Sequence, residues 1–279
     1  MIQEERLFRA VVDALTQDRL TLPTLPEVAI RVSQATQDEN VTAGKLAVEI
    51  GRDPAISVRL LRVGNSSAFS AGRRIDNLQQ AVTRLGIGLV RSLVSGLALE
   101  QLFHSRAPAL KDRLRKTWAQ SLEVAALAQV LCSNCTVLRP ELAMLGGLTH
   151  EIGSLPVLRV IETLGEELPD NATLDKLIRS LQPRIGRLIL QAWDFPEELV
   201  EVPSSWMDFT RTHEGPADYV DIITVAALQS QQHREGRLAG IDRQRVPAFL
   251  KLDISPEVDV FELEGVQDKY EESYAALSG

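Results

Sequence analysis

Apolar residues recur with the period of an α-helix along most of this chain, and this pattern restricts the possible folds more than any other feature. Residues spaced three or four apart share one face of a helix. The stretches with this spacing are Leu7–Leu15, Val28–Ala35, Leu89–Leu97 and Leu114–Leu131. A strand-like alternation, Asp221–Val225, lies inside Pro216–Gly236, which we predict to be one long buried helix. The sequence therefore predicts an all-α fold.

Prolines and short polar residues mark where several helices begin. Proline suits the first turn of a helix because a backbone N–H would lack a helical partner there in any case. On this basis we predict helix starts at Asp53-Pro54, Arg139-Pro140, Gln182-Pro183, Phe195-Pro196 and Ser255-Pro256. Asn77 and Gln80 have the spacing of a capping box, in which each side chain pairs with the other residue's backbone, and Gly86 suits a left-handed helix end.

The helical patterns divide the chain into two bundles and a C-terminal segment. We predict an N-terminal helical bundle over residues 1–104 and a second bundle over residues 105–236, with the seam in His104–Ala109. Residues 237–279 are predicted to form a C-terminal helical extension or tail. Within it, Glu257–Ser278 is either a helix that docks on the body or on a partner, or a frayed end.

Charge and apolar content disfavour several classes of protein. The formal charge of −8 opposes nonspecific binding to nucleic acid or to anionic membranes. No apolar run approaches the roughly 20 residues of a membrane span, and Met1–Leu20 lacks the apolar core of a signal peptide, so we expect a cytoplasmic protein. The two cysteines, Cys132 and Cys135, fit structural thiols better than a redox pair or half of a zinc site.

Short motifs follow one another at characteristic distances along the chain. They are Leu22–Glu27, Arg52–Ala55, Gly64–Ser66, Leu85-Gly86, Gly147–Gly153 and Trp193–Pro196. Together they resemble the HDOD family, bacterial signalling domains related to the HD-superfamily metal-dependent phosphohydrolases, over roughly residues 15–210. The resemblance implies an HD-domain-like helical bundle preceded by an N-terminal helical bundle.

The resemblance allows the metal ligands of an HD phosphohydrolase to be compared with this chain position by position. The corresponding positions are Gln120 for an early histidine, His150-Glu151 for the His-Asp pair, Pro183 and about Trp206-Met207 for further histidines, and Ala227, or nearby Asp221, for a late aspartate. A catalytic metal usually has at least three protein ligands. We therefore expect no catalytic residue, no metal and no cofactor, with His150 and Glu151 as remnants of a degenerate site.

The other polar candidates have structural interpretations in the sequence. His104, His213 and His233 are predicted to lie at seams or on polar faces, and their spacing matches no ligand motif. We interpret His150 as a hydrogen-bonded histidine at a buried helix end, with a vestigial metal or nucleotide pocket as the alternative. Capping of a helix end is favoured over a role in a pocket for Asn65-Ser66.

The resemblance and the missing ligands together imply a noncatalytic regulatory protein. Its partners would be two-component or cyclic-dinucleotide signalling proteins acting in trans, or a small anionic ligand. The candidate pocket residues are Asn65, Ser66, Gln120, His150 and Glu151. One alternative is a residual metal-dependent phosphohydrolase acting on a nucleotide or phosphate ester. A second, disfavoured by the acidic balance, is nucleic-acid binding through Arg52, Arg59, Arg62, Arg73, Arg74, Arg84 and Arg91.

Overall fold

Helices form the core of the protein in the computed structural model, which describes residues 6, 9–14, 22–38, 40–66, 74–105, 108–163, 170–234, 236 and 238–278. No strand occurs among these residues, and the all-α prediction is confirmed. Residues 9–14 are helical, and the helices after them are α1 (Glu27–Gln37), α2 (Ala43–Gly51), α3 (Pro54–Gly64), α4 (Leu78–Leu85), α5 (Ile87–Leu99), α6 (Pro108–Cys135), α7 (Pro140–Thr149), α8 (Ser154–Thr163), α9 (Asn171–Ala192), α10 (Glu197–Val200), α11 (Val202–Ser205), α12 (Tyr219–Gln229), α13 (Gln231–Arg234), α14 (Pro247–Lys251) and α15 (Val266–Ser278).

The length and apolar content of these helices bear on whether any of them could cross a membrane. Within the described ranges, no single helix is both long and apolar enough to cross a membrane. The segments Leu78–Leu85 and Ile87–Phe103, which meet at a bend of 116°, satisfy that test of length and composition only when taken together.

The predicted caps explain where several helices begin and end. Asp53 accepts a hydrogen bond from the backbone N–H of Ile56 at 3.0 Å, directly before Pro54. The Asn77 side chain accepts from the Gln80 N–H at 2.9 Å, as predicted. Gln80, however, accepts from the N–H of Asp76 rather than from that of Asn77, so the return bond of the capping box falls one residue earlier.

Two of the predicted proline starts are wrong. Pro183 lies in the interior of α9, whose start is capped instead by Asp170, which accepts from the Thr173 N–H at 3.0 Å. A proline inside a helix costs about 3 kcal/mol, so the packing of α9 must outweigh that penalty. Pro256 lies in a turn that precedes a single turn of 3-10 helix, Val260–Glu262.

The predicted single helix over Pro216–Gly236 is interrupted. Helix α12 begins at Tyr219, where Asp218 and Asp221 form a reciprocal capping box, and it ends at Gln229. Ser230 then adopts an extended backbone with ψ 139°, and the chain turns into the short helix α13. This break redirects the chain, and it brings His233 into the protein interior.

The centre of the molecule is the antiparallel hairpin of α6 and α7. A four-residue connection joins the two helices, and they touch backbone to backbone, because a Cβ added to Gly147 would lie 2.7 Å from the Ala125 nitrogen. The C-terminal helix α15 also packs on α6, where Ser273 donates to Gln129 at 2.6 Å. The buried apolar core is continuous across the seam at His104–Ala109, and the division into subdomains stays a prediction.

Gly147→Ala is expected to destabilise the protein, because the added methyl group would overlap the backbone of Ala125. Overpacking of this kind lowers the free energy of unfolding by on the order of 1–3 kcal/mol. Gly240→Ala is the matched control, since a Cβ at Gly240 meets nothing within 4 Å. Denaturant midpoints measure both variants, and equal midpoints would contradict the close backbone contact of α6 and α7.

Candidate functional site

Three ionisable side chains meet in the protein interior beside the end of α7. His150 and Glu151 lie in the turn that leads into α8, and both are buried. His233 on α13 is also fully buried, with its ring centre 6.0 Å from that of His150. One donor atom from each of the three residues lies within 4.8 Å of the other two. The prediction that His233 occupies a seam or polar face is therefore wrong, because the break at Ser230 turns it inward.

The hydrogen bonds of the two histidines define which ring nitrogen carries the proton. The Nδ1 of His150 donates to the Gly147 carbonyl at 2.6 Å. The Nδ1 of His233 lies 2.9 Å from the Ser230 hydroxyl, which itself donates to the Ala227 carbonyl. The hydroxyl is therefore the acceptor for His233. In each ring Nδ1 carries a proton, so that Nε2 has the lone pair when the imidazole is neutral.

Burial also keeps His233 uncharged. The pKa of His233 is lowered to about 4, mainly because burial disfavours the charged imidazolium and secondly because of the positive charge on Lys116. At neutral pH this side chain is a neutral imidazole, the form that binds metal ions and accepts hydrogen bonds at Nε2.

Trp206 fills the space beside both histidines. Its side chain is fully buried, and its ring centre lies 4.7 Å from that of His150 in an edge-to-face arrangement and 6.0 Å from that of His233. The resemblance places a metal-binding histidine of HD phosphohydrolases at about this position. Trp206 therefore lies beside His150 and His233, and its indole cannot serve as a metal ligand.

Helix α6 forms a second wall of this site. The contact between Ala125 and Gly147 sets the register of the antiparallel hairpin, so that Ser121, one turn earlier on α6, lies level with Glu151. Gln120 is half-buried next to it. Glu123 accepts a hydrogen bond from the Gln231 N–H at 3.0 Å, which ties α6 to the start of α13.

Helix α9 forms a third wall. The Gln182 side chain donates to the His150 carbonyl at 2.9 Å. A Cβ at Gly153 would lie 2.5 Å from the Gly186 nitrogen, so the turn after His150 rests directly on the backbone of α9. Pro183, which the resemblance puts in the place of a further histidine, follows Gln182 on this helix and offers no donor atom.

Asp221 belongs to a separate cluster at the other end of α12. It accepts from His213 Nε2 at 2.8 Å and pairs with Arg211 at 3.3 Å. Nine residues of helix separate it from Ser230, a rise of roughly 13 Å. Burial opposes ionisation of the neighbouring Asp218, but hydrogen bonds from Arg211 and from the Asp221 backbone lower its pKa. Asp221 is therefore not a ligand of the His150 cluster.

Asn65 and Ser66 stabilise the end of α3. Asn65 donates to the Leu61 and Ile75 carbonyls at 2.9 and 2.8 Å and accepts from the Ile75 N–H at 2.9 Å. Ser66 donates to the Val63 carbonyl at 2.7 Å. The capping interpretation is thus supported by geometry. Both residues also border a surface groove of about 880 Å³ whose lining includes Arg62 and Arg74.

The two halves of the candidate pocket belong to different parts of the molecule. The hydrogen bonds of Asn65 and Ser66 run to residues 61–75, whereas those of His150 run to Gly147 and Gln182. The five candidate residues therefore define a surface groove and a buried cluster. Their role as binding residues stays a prediction.

Several of the clustered arginines already have partners. Arg52 pairs with Glu49 at 3.0 Å, Arg59 pairs with Glu100, and Arg84 donates to the Gly64 carbonyl at 3.3 Å. Arg73 lies outside the described residues. These contacts weaken the case for a continuous phosphate-binding face.

Cys132 and Cys135 lie near the end of α6 as free thiols. Burial raises the pKa of both groups, and Cys132 also contacts the Thr136 hydroxyl at 3.4 Å. A raised pKa disfavours the reactive thiolate, which supports a structural role for the pair.

A helical bundle with a His150-Glu151 turn at its buried centre defines an HD-domain-like protein. The sequence profile of the HDOD domain matches residues 22–205, more than half of the chain. The chain therefore belongs to the HDOD family, as the motifs of the sequence imply.

Similar proteins extend this assignment. A Shewanella amazonensis SB2B protein whose name proposes a metal-dependent phosphohydrolase is 32% identical, with a TM-score of 0.87 over 99% of this chain and 100% of that one. An HDOD domain protein of unknown function from Geobacter sulfurreducens, 20% identical, has a TM-score of 0.70 over 98% of each chain and shows the shared fold. An uncharacterized Treponema pallidum protein is 20% identical in a 247-residue alignment that covers 83% of this chain and 45% of that protein. This chain thus spans less than half the length of that curated relative.

The protein is expected to lose stability as the pH falls from about 6.5 towards about 4. The folded-state pKa of His233 is depressed, so its contribution is complete above the unfolded pKa and is lost as protons bind the unfolded chain. One such group changes the free energy of unfolding by at most about 1.4 kcal/mol per pH unit. Urea denaturation across this range, compared with His233→Gln, measures the effect, and parallel curves would contradict it.

Asn65→Ala is expected to lower the free energy of unfolding by on the order of 1–3 kcal/mol, because it removes three side-chain hydrogen bonds, two of which join the end of α3 to Ile75. Asn40→Ala, at an exposed position in a turn, is the matched control. Thermal or urea denaturation distinguishes them. A loss no greater than that of the control would show that Asn65 does not hold this connection.

Proposed function

We propose that this protein is a noncatalytic HDOD signalling module that binds a partner protein or a small anionic ligand. The observation that carries the proposal is the buried indole of Trp206, which packs on His150. The resemblance implies a metal-binding histidine at about this position, and it implies further ligands where this chain has Gln120 and Ala227. The residues present therefore do not fit the metal of an HD phosphohydrolase, and we derive no catalytic step through it.

The surface groove near the end of α3 is the binding site that we propose. Its lining combines Arg62 and Arg74 with the apolar side chains of Val58 and Leu61. Val58 is 58% exposed, which is high for a large apolar residue in a folded protein. Two arginines beside an apolar surface suit an anionic ligand or an acidic segment of a partner. By family resemblance, the partners are two-component or cyclic-dinucleotide signalling proteins in the cytoplasm.

Phosphodiester hydrolysis tests the noncatalytic part of the proposal. Wild-type protein and His150→Ala are expected to hydrolyse bis(p-nitrophenyl) phosphate with added Mn²⁺ no faster than buffer, because the buried cluster lacks the required ligands. The name of the Shewanella relative makes hydrolase activity the competing function. Turnover by the wild type that disappears in a folded His150→Ala variant would contradict the proposal.

Ligand-dependent thermal shifts test the groove. Guanine nucleotides and cyclic dinucleotides are the probes, with Arg74→Ala as the groove variant and Arg184→Ala, an exposed position on α9, as the control. A rise in melting temperature that the first substitution abolishes and the second retains would support an anionic ligand. Equal shifts in both variants would place the ligand elsewhere.

A further inference from the structure

We propose that the groove at the end of α3 binds the acidic side of α15 from a second copy of this chain, so that two copies form a symmetric dimer. The acidic side consists of Glu264, just before α15, and of Asp268, Glu271 and Glu272 on the helix. This inference rests on the proposed function, because it names the partner whose acidic segment occupies the groove.

The negative charge of the chain is concentrated near its C-terminal end. Residues 255–279 contain seven acidic residues and a single basic residue, Lys269, so they hold most of the formal charge of −8. Asp268 follows Glu264 by four positions and precedes Glu271 by three, which places the three carboxylates on one side of the helix. Like charges at this spacing repel one another and destabilise a helix. A cationic surface docked against them would offset that repulsion.

The acidic side of α15 faces away from the body of the protein. The buried residues Val266 and Leu277 lie on the opposite side of the helix, whereas the acidic side chains are exposed or half-buried. Within the part of the chain that the structure describes, Asp268 forms no ion pair. Leu263 is 38% exposed and lies next to Glu264 in the chain. The acidic side is therefore an open surface with an apolar residue at its start.

The groove offers the complementary charge and an apolar contact. Arg62 and Arg74 line it beside Val58, which is 58% exposed. Asp76 also borders the groove, so its lining carries two positive charges and one negative charge. Arg74 is exposed and forms no ion pair with any residue that the structure describes. Arginine binds carboxylates through parallel hydrogen bonds, and we therefore expect Arg74 to pair with the acidic side of α15.

The groove and the acidic side of α15 are neighbours on the same chain. Val58 lines the groove, and the next residue, Arg59, donates to the Leu277 carbonyl at the end of α15 at 3.1 Å. Glu271 precedes Leu277 by six residues, a rise of about 9 Å. Two adjacent surfaces of this kind can pair reciprocally about a two-fold axis, where the groove of each copy receives the acidic side of the other. Such an arrangement closes at two copies.

Salt is expected to weaken this dimer. Exposed ion pairs contribute little individually and are screened by dissolved ions. The formal charge of −8 on each copy opposes association at long range, but the Debye length is only about 10 Å at 0.1 M ionic strength, so contacts between adjacent groups outweigh this repulsion. At about 1 M salt the Debye length falls to about 3 Å, and the pairing of the arginines with the carboxylates is screened as well.

Sedimentation equilibrium of the full-length chain tests the inference. At about 0.1 M salt the wild type is expected to dimerise at high micromolar concentrations, and at about 1 M salt it is expected to be monomeric. Arg74→Glu should raise the dissociation constant by at least about tenfold, because it places like charges in both contacts of the dimer.

Arg184→Glu, at an exposed position on α9, is the matched control and should dimerise as the wild type does. Helical circular dichroism shows whether each variant is folded. A monomeric wild type, or equal dissociation constants for Arg74→Glu and Arg184→Glu, would overturn the proposal.

An exchange of charge between the two surfaces gives a test that does not depend on loss of binding alone. Asp268→Arg should also weaken the dimer, because it puts an arginine opposite Arg74. When the Arg74→Glu and Asp268→Arg proteins are mixed, each of the two contacts again joins opposite charges. We expect the mixture to form dimers that neither variant forms alone. A mixture that stays monomeric would contradict the pairing of Arg74 with Asp268.

Thermal shifts with guanine nucleotides and cyclic dinucleotides separate this inference from the proposed function. A monomeric chain whose shift is abolished by Arg74→Ala would overturn the dimer and keep the groove as a ligand-binding site. A monomeric chain that none of these ligands stabilises would count against both.

Discussion

The backbone contact between α6 and α7 is the constraint on which the rest of the structure depends. Gly147 allows the hairpin to close against Ala125, and that contact sets the register in which Ser121 lies level with Glu151. A second close approach, between Gly153 and Gly186, seats the turn after His150 on α9. The buried cluster thus lies where three helices approach more closely than larger residues would permit.

Local sequence signals predicted most of the fold because they act over a few residues. Asp53 and Asn77 cap their helices as their spacing indicates. The wrong predictions of helix boundaries concern places where tertiary packing outweighs the local conformational preference of the residues. Pro183 remains inside α9, although proline favours a helix start. Helix α12 ends at Gln229, although the next glycine along the chain is Gly236. The position of Pro183 is not encoded in the residues nearest to it.

The candidate site was only partly predictable from the sequence, because its assembly depends on how distant segments pack together. Resemblance to a family singled out Trp206, whose ring contacts both His150 and His233 in the structure. His233 was missed, since its place in the interior depends on the turn at Ser230 and not on its spacing from His150. The polar run Ser230–His233 after an apolar helix was the signal available, because such a run favours a helix end over continuation.

The burial of Trp206 also limits how the site could be redesigned. Its indole is fully buried and packs against the rings of His150 and His233. Replacing a buried tryptophan with a much smaller residue typically costs about 3–5 kcal/mol, a large fraction of the stability of an average domain. A metal ligand introduced at this position would therefore need compensating substitutions that refill the space left by the indole.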